Sequence, residues 1–314
     1  MNPTRLILLA VATSALAADP SPTFTDAASA GPDFAVQGEY TGEGCAAQVI
    51  ALGDGKFRVV GWTPGLPGAG GEAEKKLELD AQRDGARVVF SSAEWKGEIA
   101  DGAINGTNRD GKTFALRRIE RQSPTLGAKP PAGAVVLFDG KSADQWKGGK
   151  MTPEGWLQCG VKSVREFGSG TLHVEFRTPF MPAARGQARG NSGVYLQDRF
   201  ECQVLDSFGL AGENNEAGGI YTISKPKLNM CFPPLSWQTY DIEFDVAQFG
   251  ADGAKTKDAV MSVKLNGVLV QDRVSVGTAT RAAGRKEGPE LGPIQLQHHG
   301  NPVVYRNLWF VPKN

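Results

Sequence analysis

The segment AVMSVKLNGVLVQDR, residues 259–273, predicts a β-hairpin and with it an antiparallel fold. Asn266-Gly267 sits between the β-branched, apolar segments 260–265 and 268–270, and both residues of an Asn-Gly pair tolerate the positive φ of a two-residue turn. Further strands are predicted along the chain at 171–178, 192–205, 237–246, 292–297 and 303–311. No segment keeps a 3.6-residue apolar period for more than two turns. These features favour a jelly-roll β-sandwich for residues 134–314.

Residues 34–120 predict a second, smaller antiparallel β domain. Asp-Gly pairs are expected to turn its hairpins, and they lie at Asp54-Gly55, Asp84-Gly85, Asp101-Gly102 and Asp110-Gly111. The segments between them alternate or are β-branched, as in a small barrel or sandwich. The Pro-rich segment 121–133 is predicted to link the two domains. The expected fold class is therefore all-β.

The N-terminal residues predict export. Residues 1–17 combine Arg5, a short apolar stretch and a small-residue cleavage site, which is typical of a secretory signal peptide. That stretch is too short to span a bilayer, and no later segment approaches 18 apolar residues. Residues 18–33, rich in Ala, Pro and Ser, are expected to form a flexible lead-in. We therefore expect a secreted or periplasmic protein without a membrane span.

Composition excludes several classes of protein. Hydrophobic residues make up 40% of the 314, too many for a disordered chain. Lys and Arg number 34, as do Asp and Glu, so the basic excess that nucleic acid requires is missing. None of the four cysteines stands in a CxxC pair, which argues against zinc and leaves buried thiols or one disulfide.

Alternation along several strands groups planar polar side chains on one face. The residues that this pattern places opposite the apolar positions are His173, Glu175, Arg177, Tyr195, Gln197, Glu201, Gln203, Gln295, Gln297 and His299. Such groups can bridge sugar hydroxyls and stack on sugar rings. A solvated outer face of an antiparallel sheet is the alternative interpretation.

Two pairs of residues could carry proton transfer. Glu201 and Asp206 are carboxylates within one strand and its exit, suited to acid–base work or to a hard cation. Glu201 could equally form a structural ion pair with Arg199 or Arg177. His298 and His299 lie together at a predicted strand end, where they could transfer protons or only cap the turn.

Several blocks together resemble the 3-keto-disaccharide hydrolase domain family. The blocks, in the family's order, are VLFDGK at 136–141, GNSGVYLQ at 190–197, FECQVLDSFG at 200–209, WQTYDI at 237–242, GPIQLQHHGNPV at 292–303 and RNLWF at 306–310. The chain departs from the family pattern at Thr222–Pro226 and at His298. The resemblance covers roughly residues 134–312 and implies a concanavalin-like jelly roll that acts on glycosides oxidised to a ketone at C3.

The chemistry that the resemblance implies needs a base, an enolate stabiliser and an acid for the leaving group. We expect His299 or Glu201 to be the base, Arg199 or a bound divalent cation to stabilise the enolate, and Asp206 to ligate that cation or donate the proton. Candidate metal ligands are Glu201, Asp206 and His299. The expected carbohydrate-binding residues are His173, Glu175, Asn191, Tyr195, Gln197, Gln203, Gln297 and His298.

Two other functions stay open at this point. A conventional glycosidase would place two carboxylates across one glycosidic bond. A non-catalytic carbohydrate-binding or adhesion protein would use residues 34–120 to dock a protein partner. The enzymatic interpretation requires that His173, Glu201, Gln297 and His299 meet in one hollow.

Overall fold

The computed structural model describes residues 21–71 and 76–313, so the predicted signal peptide lies outside the described residues. The first unit contains a short helix and eight strands. They are α1 (Gly31–Val36), β1 (Gly38–Gly42), β2 (Cys45–Gly53), β3 (Lys56–Trp62), β4 (Leu77–Asp84), β5 (Arg87–Ser91), β6 (Trp95–Ala100), β7 (Ala103–Asn108) and β8 (Thr113–Ile119).

These eight strands form a closed antiparallel barrel, because β8 returns to pair with β1. The predicted Asp-Gly hairpins are present, with Asp54 at φ 54° and Asp101 at φ 49° in their turns. The interior is filled by apolar side chains that include Val49, Phe57 and Ile99. The small domain is thus a packed barrel and not an open sheet.

The second unit is a sandwich of two antiparallel sheets, as predicted. Its strands are β9 (Val135–Phe138), β10 (Trp146–Lys147), β11 (Leu157–Gln158), β12 (Val161–Phe167), β13 (Gly170–Arg177), β14 (Ser192–Leu196), β15 (Phe200–Val204), β16 (Gln238–Asp245), β17 (Gln248–Phe249), β18 (Lys255–Lys257), β19 (Ala259–Leu265), β20 (Val268–Val276), β21 (Gly292–Leu296) and β22 (Val304–Pro312). One sheet has the order β10-β12-β21-β14-β15, and the other has β11-β22-β13-β16-β19-β20 with β9 paired to β22. A separate two-stranded sheet pairs β17 with β18.

The segment 192–205, expected as one strand, is a tight hairpin of β14 and β15. Its turn places Gln197 at φ 56° and Asp198 at φ 58° without a glycine. The turn pairs Tyr195 with Glu201 across the hairpin. The apolar faces of the two sheets meet in one core that contains Leu172, Val174, Val194 and Cys202. The polar faces therefore point in opposite directions.

Residues 18–33, expected as a flexible lead-in, are tied to both units from Phe24 onward. The backbones of Phe24 and Phe180 exchange two hydrogen bonds of 2.9 Å. In α1, the Asp33 carboxylate accepts from Arg83 Nη2 of the barrel at 2.8 Å.

None of the helices in residues 21–71 and 76–313 has the length and apolar character to cross a membrane. All four cysteines lie in the described part, and none is in a disulfide.

The predicted linker 121–133 lies against the outer face of the seven-stranded sheet. The Thr125 hydroxyl donates to Asp241 Oδ2 at 2.8 Å, and the Gly127 amide donates to Glu175 Oε1 at 2.5 Å. Arg306 Nε donates to Glu175 Oε2 at 2.7 Å. Burial would raise the pKa of Glu175, but hydrogen bonds from His173, Asn307, Arg306 and Gly127 outweigh it and lower the pKa to about 2. Glu175 thus holds the linker on the sheet.

Replacing Glu175 by Gln is expected to destabilise the protein by about 1–3 kcal/mol, because Arg306 and Gly127 lose a charged acceptor. The carboxylate stabilises the fold above its unfolded pKa and loses that effect as pH falls toward about 2. The difference in melting temperature between wild type and variant should therefore shrink from pH 6 to pH 3. Glu243→Gln, an exposed change on the same face, is the control. Equal melting temperatures for the two variants at pH 6 would contradict this role.

Candidate active site

The outer face of the five-stranded sheet carries a compact polar cluster around Glu201. Strand register places Lys162, Gln295, Tyr195 and Glu201 in one row across β12, β21, β14 and β15. In the next row, Gly193 is the cross-strand partner of Gln203. The backbone amide of Gln297 donates to the Gly193 carbonyl oxygen at 2.9 Å, so Gln297 extends that row. We use the name Glu201 hollow for the cluster of Gly193, Tyr195, Glu201, Gln203 and Gln297, in which every residue but Gln297 is buried.

Gly193 makes the room that the Glu201 side chain occupies. A Cβ atom at position 193 would overlap Oε1 of Glu201 and crowd the Tyr195 ring. Any other residue would therefore displace the carboxyl group. A glycine inside an alternating strand often marks such a close approach, which is the sequence signal for this position.

The Glu201 carboxyl group has neutral partners. Tyr195 donates its hydroxyl proton to Oε2 at 2.6 Å. One end of the Gln203 side-chain amide lies 3.1 Å from Oε1 and 2.9 Å from the Ser192 carbonyl oxygen, and with its nitrogen on that side it donates to both. Gln297 Nε2 donates to the Tyr195 hydroxyl oxygen at 3.2 Å.

Glu201 lacks a positive partner. It is 2% exposed, and no Lys, Arg or His in the described residues forms an ion pair with it. The alternative that Glu201 pairs with Arg199 or Arg177 is therefore wrong. Burial raises the pKa of Glu201 to about 8, although the hydrogen bond from Tyr195 acts in the opposite direction. A carboxyl group in this state can exchange protons near neutral pH.

A short segment, residues 185–191, borders the hollow with two side chains. Asn191 Nδ2 donates to the Gln187 carbonyl oxygen at 2.8 Å. The far end of the Gln203 amide lies 2.8 Å from Gln187 Oε1. Gln187 lies on a single 3-10 turn, Gly186–Ala188, which the strand pattern could not reveal.

Unpartnered acceptors in and beside this row suit a ligand rich in hydroxyl groups. Asn191 Oδ1 and Gln295 Oε1 are buried and find no hydrogen-bond donor among the described residues. A buried acceptor without a partner is costly, and the O–H groups of a sugar are suitable donors. This observation supports the expected role of Asn191.

Arg199 and Gln197 lie at the β14–β15 turn, and Arg199 holds the loop 277–291. Arg199 Nε donates to the Lys286 carbonyl oxygen and Nη1 to that of Glu290, both at 2.7 Å. Gln197 Nε2 donates to the Phe167 carbonyl oxygen at 3.1 Å. The expectation that Arg199 stabilises an enolate and that Gln197 holds sugar is not supported. Both side chains already donate hydrogen bonds to backbone carbonyl oxygens. The Thr280 hydroxyl of the loop 277–291 accepts a hydrogen bond from the Glu201 backbone amide at 3.0 Å.

Asp206 is not in the hollow. Its Oδ2 accepts from Arg189 Nε at 2.7 Å, and both side chains are buried. No group of three or more His, Cys, Asp or Glu in residues 21–71 and 76–313 could hold a metal ion. The candidate ligands Glu201, Asp206 and His299 therefore do not fit a divalent cation.

The two histidines of the predicted pair diverge. Both are exposed on the turn after β21. His298 lines a separate cleft of about 700 Å³, together with Trp156, Arg177 and Asn301. His299 makes no hydrogen bond with the described residues and follows Gln297 by two positions. No hydrogen bond in the described residues therefore supports the expectation that His299 is a base.

His173 and Glu175 belong to the other sheet, so the expected single hollow is wrong for them. His173 Nδ1 lies 2.7 Å from Asp241 Oδ1, and its ring stacks on Trp309. Burial lowers the pKa of His173, but hydrogen bonds to Asp241 and Glu175 outweigh it and raise the pKa. Alternation assigned each strand a polar face, but it could not tell that the two sheets turn those faces apart.

Comparisons with known proteins found a matching family model and similar solved structures. A model of the 3-keto-alpha-glucoside-1,2-lyase-like domain matches residues 133–311. The crystal structure of a candidate glycosyl hydrolase from Parabacteroides distasonis ATCC 8503, at 2.13 Å resolution, is 30% identical, with a TM-score of 0.54 over 58% of this chain and 85% of that chain. A second one from that organism, at 1.70 Å, is 16% identical with a TM-score of 0.40, over 58% and 94%. No curated protein matches the chain.

Replacing Glu201 by Gln is expected to stabilise the protein at alkaline pH. The folded protein binds the Glu201 proton more tightly than the unfolded chain, so wild-type stability falls as pH rises from about 4.5 to about 8. Gln keeps the shape and cannot ionise. Thermal unfolding should show the variant gaining on wild type by a few degrees between pH 5 and pH 8.5. A difference in melting temperature that is independent of pH would contradict the shifted pKa.

Proposed function

Because the chain belongs to the 3-keto-alpha-glucoside-1,2-lyase-like domain family, we propose that it cleaves glycosides whose C3 hydroxyl has been oxidised to a ketone. The observation that carries this proposal is the buried Glu201 carboxyl group, held by Tyr195 and Gln203 in a hollow with unpartnered acceptors. A carboxyl group in this state supports the proposal, because proton abstraction next to a carbonyl needs a base.

The proposed reaction is an elimination followed by hydration. The ketone at C3 acidifies the C2 hydrogen, and the ionised carboxylate of Glu201 removes it as a proton. The electron pair of the C2–H bond forms the C1–C2 double bond while the C1–O bond breaks and the leaving oxygen takes that bonding pair. Glu201 returns its proton to this oxygen. Water then adds its hydroxyl to C1 and a proton to C2, and the overall change is hydrolysis.

Burial makes Glu201 suited to both proton transfers. A carboxylate whose pKa is about 8 is a stronger base than an exposed one, and its conjugate acid is still strong enough to protonate an alkoxide. One residue can therefore replace the separate acid that was expected at Asp206. No step requires a metal ion.

The amides around Glu201 would hold the sugar. Asn191 Oδ1 and Gln295 Oε1 would accept hydrogen bonds from sugar hydroxyls. The side-chain Nε2 of Gln297 would donate to the ketone oxygen as negative charge develops there. Tyr195 would fix the orientation of the carboxylate through its 2.6 Å hydrogen bond.

Substrate must displace part of the cover over Glu201, which is only 2% exposed. The loop 277–291 contributes the longest contact of the cluster, 3.4 Å between the Tyr195 hydroxyl and the Arg281 carbonyl oxygen. We propose that this part of the loop moves when substrate enters.

A conventional two-carboxylate glycosidase is less well supported. That mechanism needs a second carboxylate across the scissile bond, and Asp206 is held by Arg189.

A non-catalytic carbohydrate-binding protein would bind glycan without turnover. The signal peptide expected at 1–17 supports action outside the cytoplasm.

Release of p-nitrophenol from 3-keto and unmodified p-nitrophenyl glucosides, with and without EDTA, tests the proposal. Wild type should cleave the 3-keto substrate alone and be indifferent to EDTA. Glu201→Gln should lower kcat/KM by about 10²–10⁴-fold, and the exposed change Glu243→Gln should not affect it. Turnover of the unmodified glucoside, or a fully active Glu201→Gln variant, would refute the proposal.

The pH dependence gives a second test. If the ionised form of Glu201 is the base, kcat/KM rises with pH and levels off above about 8, because burial raises the pKa of this carboxyl group to that value. Initial rates between pH 5 and pH 9.5 measure this. A rate that falls as pH rises through 8 would show that Glu201 acts first as an acid.

A further inference from the structure

The barrel lies outside the region matched to the family, yet it contacts the wall of the Glu201 hollow. The match covers residues 133–311, whereas the barrel strands end at Ile119. The contacts run from β2 of the barrel to the segment 185–191. That segment carries Gln187 and Asn191.

Two arginines of this segment bind the backbone of β2. Arg185 Nη2 donates to the Leu52 carbonyl oxygen at 2.7 Å, and Arg189 Nη1 donates to the Ala51 carbonyl oxygen at 3.2 Å. Arg189 is 5% exposed, so its contact is shielded from water. Main-chain acceptors on a barrel strand are rigid partners.

Arg189 also binds the strand that carries Glu201. Its Nε donates to Asp206 Oδ2 at 2.7 Å, and its carbonyl oxygen accepts the Asp206 amide at 3.2 Å. Asp206 follows β15 by two residues. One side chain thus connects β2, the segment 185–191 and the end of β15.

From Arg189, the connection to the hollow runs through neighbouring side chains. Gln187 and Asn191 are each two residues away and are hydrogen-bonded to one another. Gln187 Oε1 lies 2.8 Å from one end of the Gln203 amide, whose other end lies 3.1 Å from Glu201 Oε1.

An apolar contact supports the same junction. Ile50 of β2 belongs to the core cluster of the sandwich, whereas its neighbour Val49 points into the barrel. A Cβ atom at Gly209, just after Asp206, would overlap the Ile50 side chain. The barrel therefore packs directly on the backbone that leaves β15.

We propose that the barrel positions the substrate-binding wall of the Glu201 hollow, and that Arg189 is the positioning residue. This inference rests on the proposed function for its kinetic consequence. Its structural consequence, a fixed segment 185–191, is independent of any activity.

Matched alanine variants of the full-length protein test the apolar part. Ile50→Ala removes the contact of Ile50 with Gly209 at the junction, whereas Ile99→Ala removes the same atoms from the barrel interior. Below both melting temperatures, Ile50→Ala should lower kcat on the 3-keto glucoside about tenfold with little change in KM. Ile99→Ala should keep kcat, because misplacement and not barrel stability slows the reaction.

Arg189→Lys tests the polar part, because lysine keeps a positive charge for Asp206 but cannot also reach Ala51. It should lower kcat as Ile50→Ala does, whereas Arg117→Lys, an exposed change on β8, should not. Hydrogen–deuterium exchange should be faster at residues 185–191 in Ile50→Ala and Arg189→Lys only.

The two readouts separate the possible failures. If wild type shows no turnover, the proposed function fails, and the exchange data alone decide whether the barrel fixes the segment. Unchanged exchange at 185–191 in both Ile50→Ala and Arg189→Lys would overturn the positioning role. So would a loss of kcat in Ile99→Ala equal to that in Ile50→Ala.

Discussion

The proposed chemistry depends on one carboxyl group that is buried without a counter-charge. Glu201 reaches its place because Gly193 leaves space on the facing strand, and neutral donors hold it there. An unpaired buried charge is expensive, so the group keeps its proton up to an unusually high pH. The same burial that costs stability lets the group exchange its proton near neutral pH.

Two other buried carboxylates have structural roles. Glu175 and Asp206 are buried as well, but each has an arginine partner, and they hold the linker and the barrel junction in place. Glu175 is a weak base, because its hydrogen-bond partners stabilise the ionised form and lower its pKa. Of these three carboxylates, the two with arginine partners thus hold the fold together, and the one without a partner is the base that we propose.

Sequence reasoning predicted the strands, the turns and the family, because alternation and Asx-Gly pairs are local signals. It identified Glu201, Tyr195, Gln203, Gln297 and Asn191, which lie in or beside one site. It failed for His173, Asp206 and Arg199, because the choice of sheet and of ion-pair partner depends on contacts between distant residues. Gln187 and Thr280 lie on irregular segments, where periodicity carries no information.

The most direct measurement is the ionisation of Glu201 itself. A titration of side-chain carboxyl carbons by ¹³C NMR, with Glu201→Gln to assign the resonance, reports its pKa without substrate. The midpoint should lie near 8. A midpoint near the ordinary value of about 4.3 would show that Glu201 is solvated or paired, and would contradict a buried carboxyl group without a counter-charge.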